Sequence, residues 1–390
     1  MHHAFGPNAS EFLDQRDDGQ GAIGKLKLRA VGILFSKKAG DDRFQPMPVT
    51  VSKAFAVVWA LTLAMLITGL GQAPQQNDPP LDQATVREQA TLPPGYTVFS
   101  VETAERSVRK NYPFIKRLST DLPDKVTAQP GLIYARYGAR AMELDLFSPQ
   151  GRGPFPAVIL VHGGAWITGN HKMENPFAME LARRGYVAAT IEYRLSNEAK
   201  YPAQIHDLKA SVRWLRANAK RYRIDPHRIA AVGASAGGHL VALLGATNGI
   251  SKFEGNGGNQ EFSSLVQSVV DIDGTATFID PGNIEKEIKG PLDTNTRLIG
   301  ASFKEKPEVW REASPITHVY KKSAPVLFIN SSGNRPFQQR EEMSAKLKAL
   351  GIVSEIVVIP NTPHPFWLFH PWFEPTVEYT DQFLKRTMKK

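Results

Sequence analysis

The sequence predicts an α/β protein: a mostly parallel, doubly wound sheet with helices on both faces and no large separate cap domain. Three observations lead there. From Gly131 onward, short apolar or β-branched runs alternate with segments of helical periodicity, as in a parallel sheet covered on both sides. The run Ala157–Val161 is apolar throughout, as expected of a central strand buried on both faces. A third run, ending at Val232, breaks at Gly233-Ala234-Ser235-Ala236-Gly237 into Leu240–Leu244 at helical density. That is a tight strand-to-helix turn, and only small neighbours permit it.

Each element has a local reason. Leu132–Tyr137 and Met142–Phe147 form a leading pair of strands, and the alternation of Met142, Leu144 and Leu146 suits a strand with one exposed face. Asn175–Arg184 is a helix that Gly185 can end. Val187–Tyr193 is the next strand. Pro202 to Arg223 reads as one long helix, with Ile205, Leu208, Val212, Leu215 and Ala219 on a single stripe. Ile229–Val232, Leu265–Ile272 and Val326–Asn330 are further buried strands. Gln338–Leu350 is a helix closed by Gly351, and Ser354–Ile359 is the last strand. Glu374–Met388 closes the chain, with Lys385, Arg386, Lys389 and Lys390 at the helix end that favours positive charge. Ser251–Ser263, rich in Gly, Asn and Ser, reads as an exposed loop. Thr277–Thr317 carries short helical pieces and reads as part of a lid or rim.

Upstream, residues 1–46 read as a non-structural extension, 47–73 as a signal peptide or membrane anchor, 74–128 as a linker and N-terminal packing segment, and 129–390 as the main domain. Ala54–Leu70 is apolar apart from Thr62 and Thr68, follows Lys53 and ends at Gly71-Gln72-Ala73. That pattern points to an exported protein, periplasmic or extracellular, with Met47 as the natural start. The run is at the lower limit for crossing a bilayer. Pro74 is awkward for cleavage, so an uncleaved anchor, and with it membrane contact, stays open.

Composition narrows the chemistry. At 390 residues, 42% hydrophobic and 22% charged, the chain can bury a large core. Its lack of cysteine excludes disulfides, thiolate metal sites and a cysteine nucleophile. The net charge of +9 is spread thinly, with no basic run interleaved with aromatics, so nucleic acid is not an expected partner. The sequence does not set the oligomeric state.

Ser235, at the strand-to-helix turn, is the candidate nucleophile, because the helix that begins there aims N–H groups at charge forming on an attacked carbonyl. His162-Gly163-Gly164-Ala165-Trp166 follows the central strand. Its adjacent glycines let the N–H groups of Gly163 and Gly164, with that of Ala236, form an oxyanion hole. A serine hydroxyl needs a base, and His364 stands after the last strand, stiffened by Pro363 and Pro365. His370 is the runner-up. His162 is read as orienting the oxyanion loop and His239 as packing, whereas His171, His206, His227 and His318 lack the setting. The acid is ambiguous. The loop after the penultimate strand holds no carboxylate, only Asn334 in the approximate slot. Glu341 at the start of the following helix is favoured, then Asp273, with Asp271 beside it. This constellation needs no metal and no organic cofactor.

The turn at Ser235, the glycine loop, Glu192-Tyr193-Arg194-Leu195-Ser196, Tyr201-Pro202-Ala203-Gln204 and Gly237-Gly238-His239-Leu240 together resemble the α/β-hydrolase superfamily over about residues 130–388. The branch is that of acetyl esterases, lipases and feruloyl-esterase-like enzymes. Ile329-Asn330-Ser331-Ser332 and the tail Thr362-Pro363-His364-Pro365-Phe366-Trp367 are similar to bacterial esterases that accompany pectin and plant-polysaccharide degradation. In those relatives an acidic residue stands near the start of the next helix, compatible with Glu341. The resemblance implies a serine carboxylester hydrolase removing acetyl or another small acyl group from a carbohydrate or oligosaccharide ester. Trp166, Phe366 and Trp367 would offer a platform for sugar rings. A peptidase or amidase of the same fold, or a binding protein that has lost turnover, is the alternative.

Overall fold

The computed structural model describes residues 92, 94–282, 284, 293–333 and 338–389, all within the compact unit Asp78–Lys390. The expected extension, the signal or anchor segment, residues 74–91 of the expected linker and Asn334 lie outside the described residues. Among those described, no helix is long and apolar enough to cross a membrane.

The chain enters through helix α1 (Val101–Arg109), whose N-cap Ser100 accepts from Thr103 N–H while the Thr103 hydroxyl closes the box in return. A short strand β1 (Lys116–Arg117) follows. The main sheet then builds from β2 (Val126–Tyr137), β3 (Arg140–Pro149) and β4 (Phe155–Val161), helix α2 (Asn175–Arg183), β5 (Val187–Ile191), α3 (Ala203–Ala217), α4 (Ala219–Tyr222) and β6 (Ile224–Ala234). It continues through α5 (Ala236–Ala246), β7 (Ser268–Ile272), α6 (Thr294–Ile299), α7 (Pro307–Glu312), β8 (Val326–Ser331), α8 (Gln338–Ala349) and β9 (Ser354–Ile359). Strand β10 (Phe369–His370) pairs with β1, and α9 (Phe373–Thr387) closes the fold.

The sheet has eight strands in the order β2-β3-β5-β4-β6-β7-β8-β9. The β2–β3 hairpin is antiparallel and β3 runs antiparallel to β5, while every later pairing is parallel. Alternate residues of β4 divide the core. Ile159 and Val161 point to the face covered by α3, α5 and α8, and Val158 and Leu160 to the face covered by α2 and α9. Both faces are apolar, so the central strands show no polar alternation. Each fully buried Leu, Ile, Val or Phe contributes roughly 1.5–3 kcal/mol. This layout leaves the carboxyl ends of β4, β6, β7 and β9 at one edge, where ligand sites of such sheets form.

Two sequence expectations change. The helix expected over Pro202–Arg223 breaks at Asn218, whose side-chain amide donates to Trp214 O at 2.9 Å and competes with the backbone ladder. The loop Ser251–Ser263 is not simply exposed. Phe253 is buried, and Glu254 reaches inward to Lys209 Nζ at 3.1 Å and Arg213 Nη1 at 2.9 Å. Those two cations lie on the inner face of α3, and interior charges require partners.

Candidate active site

Three side chains from three loops meet at the carboxyl edge. Ser235 sits between β6 and α5 with φ 55° and ψ −115°, a conformation that non-glycine residues rarely hold. It is held by its own N–H, which donates to Ile272 O at 2.7 Å on the neighbouring strand. Gly233 and Gly237 make the turn possible. A Cβ on Gly233 would lie 2.3 Å from Gly237 O, and one on Gly237 would lie 2.0 Å from Val161 O.

The Ser235 hydroxyl donates to His364 Nε2 at 2.8 Å, and His364 Nδ1–H donates to Asp273 Oδ2 at 2.8 Å. His364 is aimed by the loop after β9. Ser332 N–H donates to the Thr362 hydroxyl and Thr362 N–H donates to the Ser332 hydroxyl, each at 2.9 Å. The ring is partly open to solvent, 27% exposed, whereas Asp273 is fully buried. Asp273 directly follows β7, with φ 56°. Its carboxylate also accepts from Ser331 N–H at 3.0 Å and from the Ser331 hydroxyl at 2.6 Å. Burial alone would raise this carboxyl. The His364 contact, the Ser331 hydroxyl and the nearby Arg340 charge outweigh it and hold the group below the usual carboxylate range.

The acid therefore differs from the first sequence expectation. Glu341 is an exposed residue in the first turn of α8, where a carboxylate is favoured by the helix dipole alone. Asp273, second in order, holds the ring. Asp271 points elsewhere: it is buried, accepts Gly274 N–H at 2.7 Å, and burial pushes it up to about 7.

The loop after β4 lies against the serine turn. Gly164 has φ 114°, and a Cβ there would sit 2.0 Å from Thr168 O. Ala165 and Trp166 also have positive φ. Successive residues of this kind curl the chain so that its N–H groups converge. Among the described residues, the N–H groups of Gly163 and Gly164 donate to no protein acceptor. That of Ala236, the first residue of α5, has no intrahelical partner by geometry. His162 fixes the loop: Nδ1–H donates to Gly163 O at 2.7 Å and the ring stacks on Tyr193 at 4.4 Å. Burial lowers this histidine to about 4, so it is neutral near pH 7. His239 lies beneath the loop. Its Nε2–H donates to Ala313 O at 2.8 Å and its Nδ1 accepts from Trp166 Nε1–H at 3.2 Å. His370 lies away from the serine, paired with Glu374 at 2.5 Å.

The aromatic platform is also corrected. Phe366 and Trp367 are interior, and Trp166 is 5% exposed with its indole N–H committed to His239. Residues of this size are worth more in the core than at the rim. Trp367 stands edge-on to His364 at 5.3 Å. The sequence reading missed Phe99, whose N–H donates to the Thr168 hydroxyl at 3.2 Å and whose ring flanks Gly163. It also missed Ser331 and Arg340. The signal for Asp273 was Asp273-Gly274 directly after a buried strand, a turn at the edge that carries the other two groups.

A serine hydroxyl bonded to an imidazole, itself bonded to an ionised carboxylate, beside a glycine loop and a helix start with uncommitted N–H groups, can carry out acyl transfer. Among the described residues, no His, Asp and Glu cluster could hold a metal ion.

Known proteins resemble this chain over much of the same domain. The family model described as BD-FAE matches residues 144–347, just over half of the chain. Esterase LipC of Mycobacterium tuberculosis is 32% identical over 201 residues, which is 50% of this chain and 49% of LipC. The chain thus spans about half the length of that relative. A truncated carbohydrate esterase from gut microbiota superposes with TM-score 0.60 and 26% identity, covering 69% of this chain and all of that one. A bifunctional GH43-CE protein of Bacteroides eggerthii gives TM-score 0.59 and 29% identity, covering 67% of this chain and 38% of its own.

Proposed function

The chain belongs to the BD-FAE family, and from that premise we propose that it is a serine carboxylester hydrolase that removes acetyl or another small acyl group from a carbohydrate. The observation that carries the proposal is the unbroken hydrogen-bonded line from Ser235 through His364 to Asp273. Ser235 Oγ attacks the ester carbonyl carbon while its proton passes to His364 Nε2. Asp273 keeps the ring oriented and balances the charge it gains. The carbonyl oxygen becomes an oxyanion, received by the N–H groups of Gly163, Gly164 and Ala236. Each such donor is worth about 2.7–4 kcal/mol of barrier. Collapse of the tetrahedral intermediate breaks the bond to the alcohol, which leaves with the proton from Nε2. Water then attacks the acyl-serine with His364 as base again, and releases the acid.

The carbohydrate part is supported by the similar structure described as a carbohydrate esterase and by the tail around His364. Ser235→Ala should abolish turnover of p-nitrophenyl acetate, and retention of most activity would reject Ser235 as the nucleophile. Acetate release from acetylated pectin and acetylated xylan tests the substrate class: release from neither, with p-nitrophenyl acetate still cleaved, would reject it. Export is carried by the apolar run Ala54–Leu70 and is tested by fractionating cells that express the full chain.

A further inference from the structure

Behind the acid lies a buried charged unit that the mechanism does not use. Arg340, on α8, is 3% exposed. Its Nη1 donates to Gly274 O at 2.6 Å, and its Nη2 lies 3.6 Å from Asp273 Oδ1. Asp271, two residues before the acid on β7, is wholly buried, and its Oδ1 accepts from Gly274 N–H at 2.7 Å. The Gly274 peptide groups are thus clipped from both sides, by a carboxylate at N–H and by a guanidinium at the carbonyl. The space around this turn is full. A Cβ on Gly274 would sit 2.3 Å from Asp271 Oδ1, and a Cβ on Gly238 would meet the same oxygen at 2.3 Å.

We propose that Arg340 and Asp271 are positioning residues that lock the Asp273-Gly274 turn and set the charge that Asp273 presents to His364. The proposal rests on the reading of Asp273 as the acid of an esterase site. One guanidinium, paired with Asp273 and acting on Asp271 only through space, cannot neutralise both buried carboxylates. The carboxylate nearer His364 and Ser331 keeps its charge, whereas burial and its neighbour raise Asp271 to about 7, so that near neutral pH it still carries part of a negative charge. The titratable groups facing this unit are Asp271 from β7, Asp273 just after it, Arg340 from α8 and His364 from the loop after β9; His239 of α5 brings only its backbone N near Gly274, its ring being held by Trp166 and Ala313. Glu341, Glu342 and Lys346 of α8 face solvent.

The signs are opposite for the two residues. Removing the Arg340 charge leaves more net negative charge behind His364 and makes its ring easier to protonate. Removing Asp271 as an ionisable group does the reverse. The test is an NMR titration of the His364 ring in the intact protein, with the acid limb of kcat/KM measured alongside. Arg340→Met should raise the titration midpoint by about one pH unit, Arg340→Lys should restore it, and Asp271→Asn should lower it. Midpoints unchanged in the Met and Asn variants would overturn the inference and leave Arg340 a purely structural residue. If Arg340→Met does not fold, Asp271→Asn and Arg340→Lys decide: a midpoint lowered by the first and kept by the second supports the inference, and any other result overturns it. Midpoints that move as expected in a protein without esterase turnover would reject the proposed function and leave the charge coupling standing.

Discussion

Replacing Asp273 by Asn separates the role of the acid from its shape. The two carboxylate oxygens receive only donors: Ser331 N–H at 3.0 Å on Oδ1, and the Ser331 hydroxyl at 2.6 Å with His364 Nδ1–H at 2.8 Å on Oδ2. An amide must turn its NH2 group towards one side or the other. Placed at Oδ1, it meets the Ser331 N–H, a buried donor facing a donor, at a cost of about 1–3 kcal/mol. Placed at Oδ2, it donates to His364 Nδ1 and forces the proton onto Nε2, the atom that must accept from Ser235. The second arrangement keeps the fold and removes the base, and a wrong tautomer of this kind lowers kcat by about 10⁴-fold, or about 5 kcal/mol of barrier. Glu341→Gln, on the exposed turn of α8, is expected to change kcat less than twofold. The assay is initial-rate hydrolysis of p-nitrophenyl acetate, with folding checked by thermal melts of each variant. An Asp273→Asn protein within tenfold of wild type, or a Glu341→Gln protein equally impaired, would refute the assignment of the acid.

Three further outcomes follow from packing and burial. Gly164→Ala should lower kcat by about 10²-fold or more, because its Cβ would lie 2.0 Å from Thr168 O and displace the oxyanion donors. Gly185→Ala, with φ +97° and nothing near its Cβ, should cost about 1 kcal/mol of stability and leave kcat alone; thermal melts and rates on the pair separate the two effects. Glu174 is buried beside α2, and burial raises its carboxyl to about 8, offset only in part by the Trp367 indole. A carboxyl raised on folding binds more protons in the native state, so its contribution is complete below about pH 4.5 and is lost as pH rises through 8. Urea melts across that window should show Glu174→Gln flattening the decline by a few kcal/mol at most, and an unchanged slope would contradict the assignment.

The parts legible in the sequence are those in which backbone and chemistry ask for the same residues. Gly233, Gly237 and Gly164 are needed because other backbone occupies the Cβ positions, and a glycine requirement shows in a single chain. Ser235 and His364, chosen for their places after the strand ending at Val232 and after the last strand, are the pair the structure joins at 2.8 Å. The acid was harder to read. A glutamate in the first turn of a helix has a sufficient electrostatic reason to be there, and that reason resembles a catalytic one. Trp166, Phe366 and Trp367 misled in the opposite direction, since large aromatic rings serve the core as readily as a sugar platform. Lys209 and Arg213 escaped notice because helical periodicity assumes that charges face water. Glu254 returns from a distant loop to meet them, a contact that no local pattern records.

With the acid just after β7, the end of β8 steadies two neighbours at once, Ser331 holding Asp273 and Ser332 holding Thr362. One short stretch of backbone thus steadies both the carboxylate and the loop that carries the imidazole, so a change at either serine is felt at the relay as a whole.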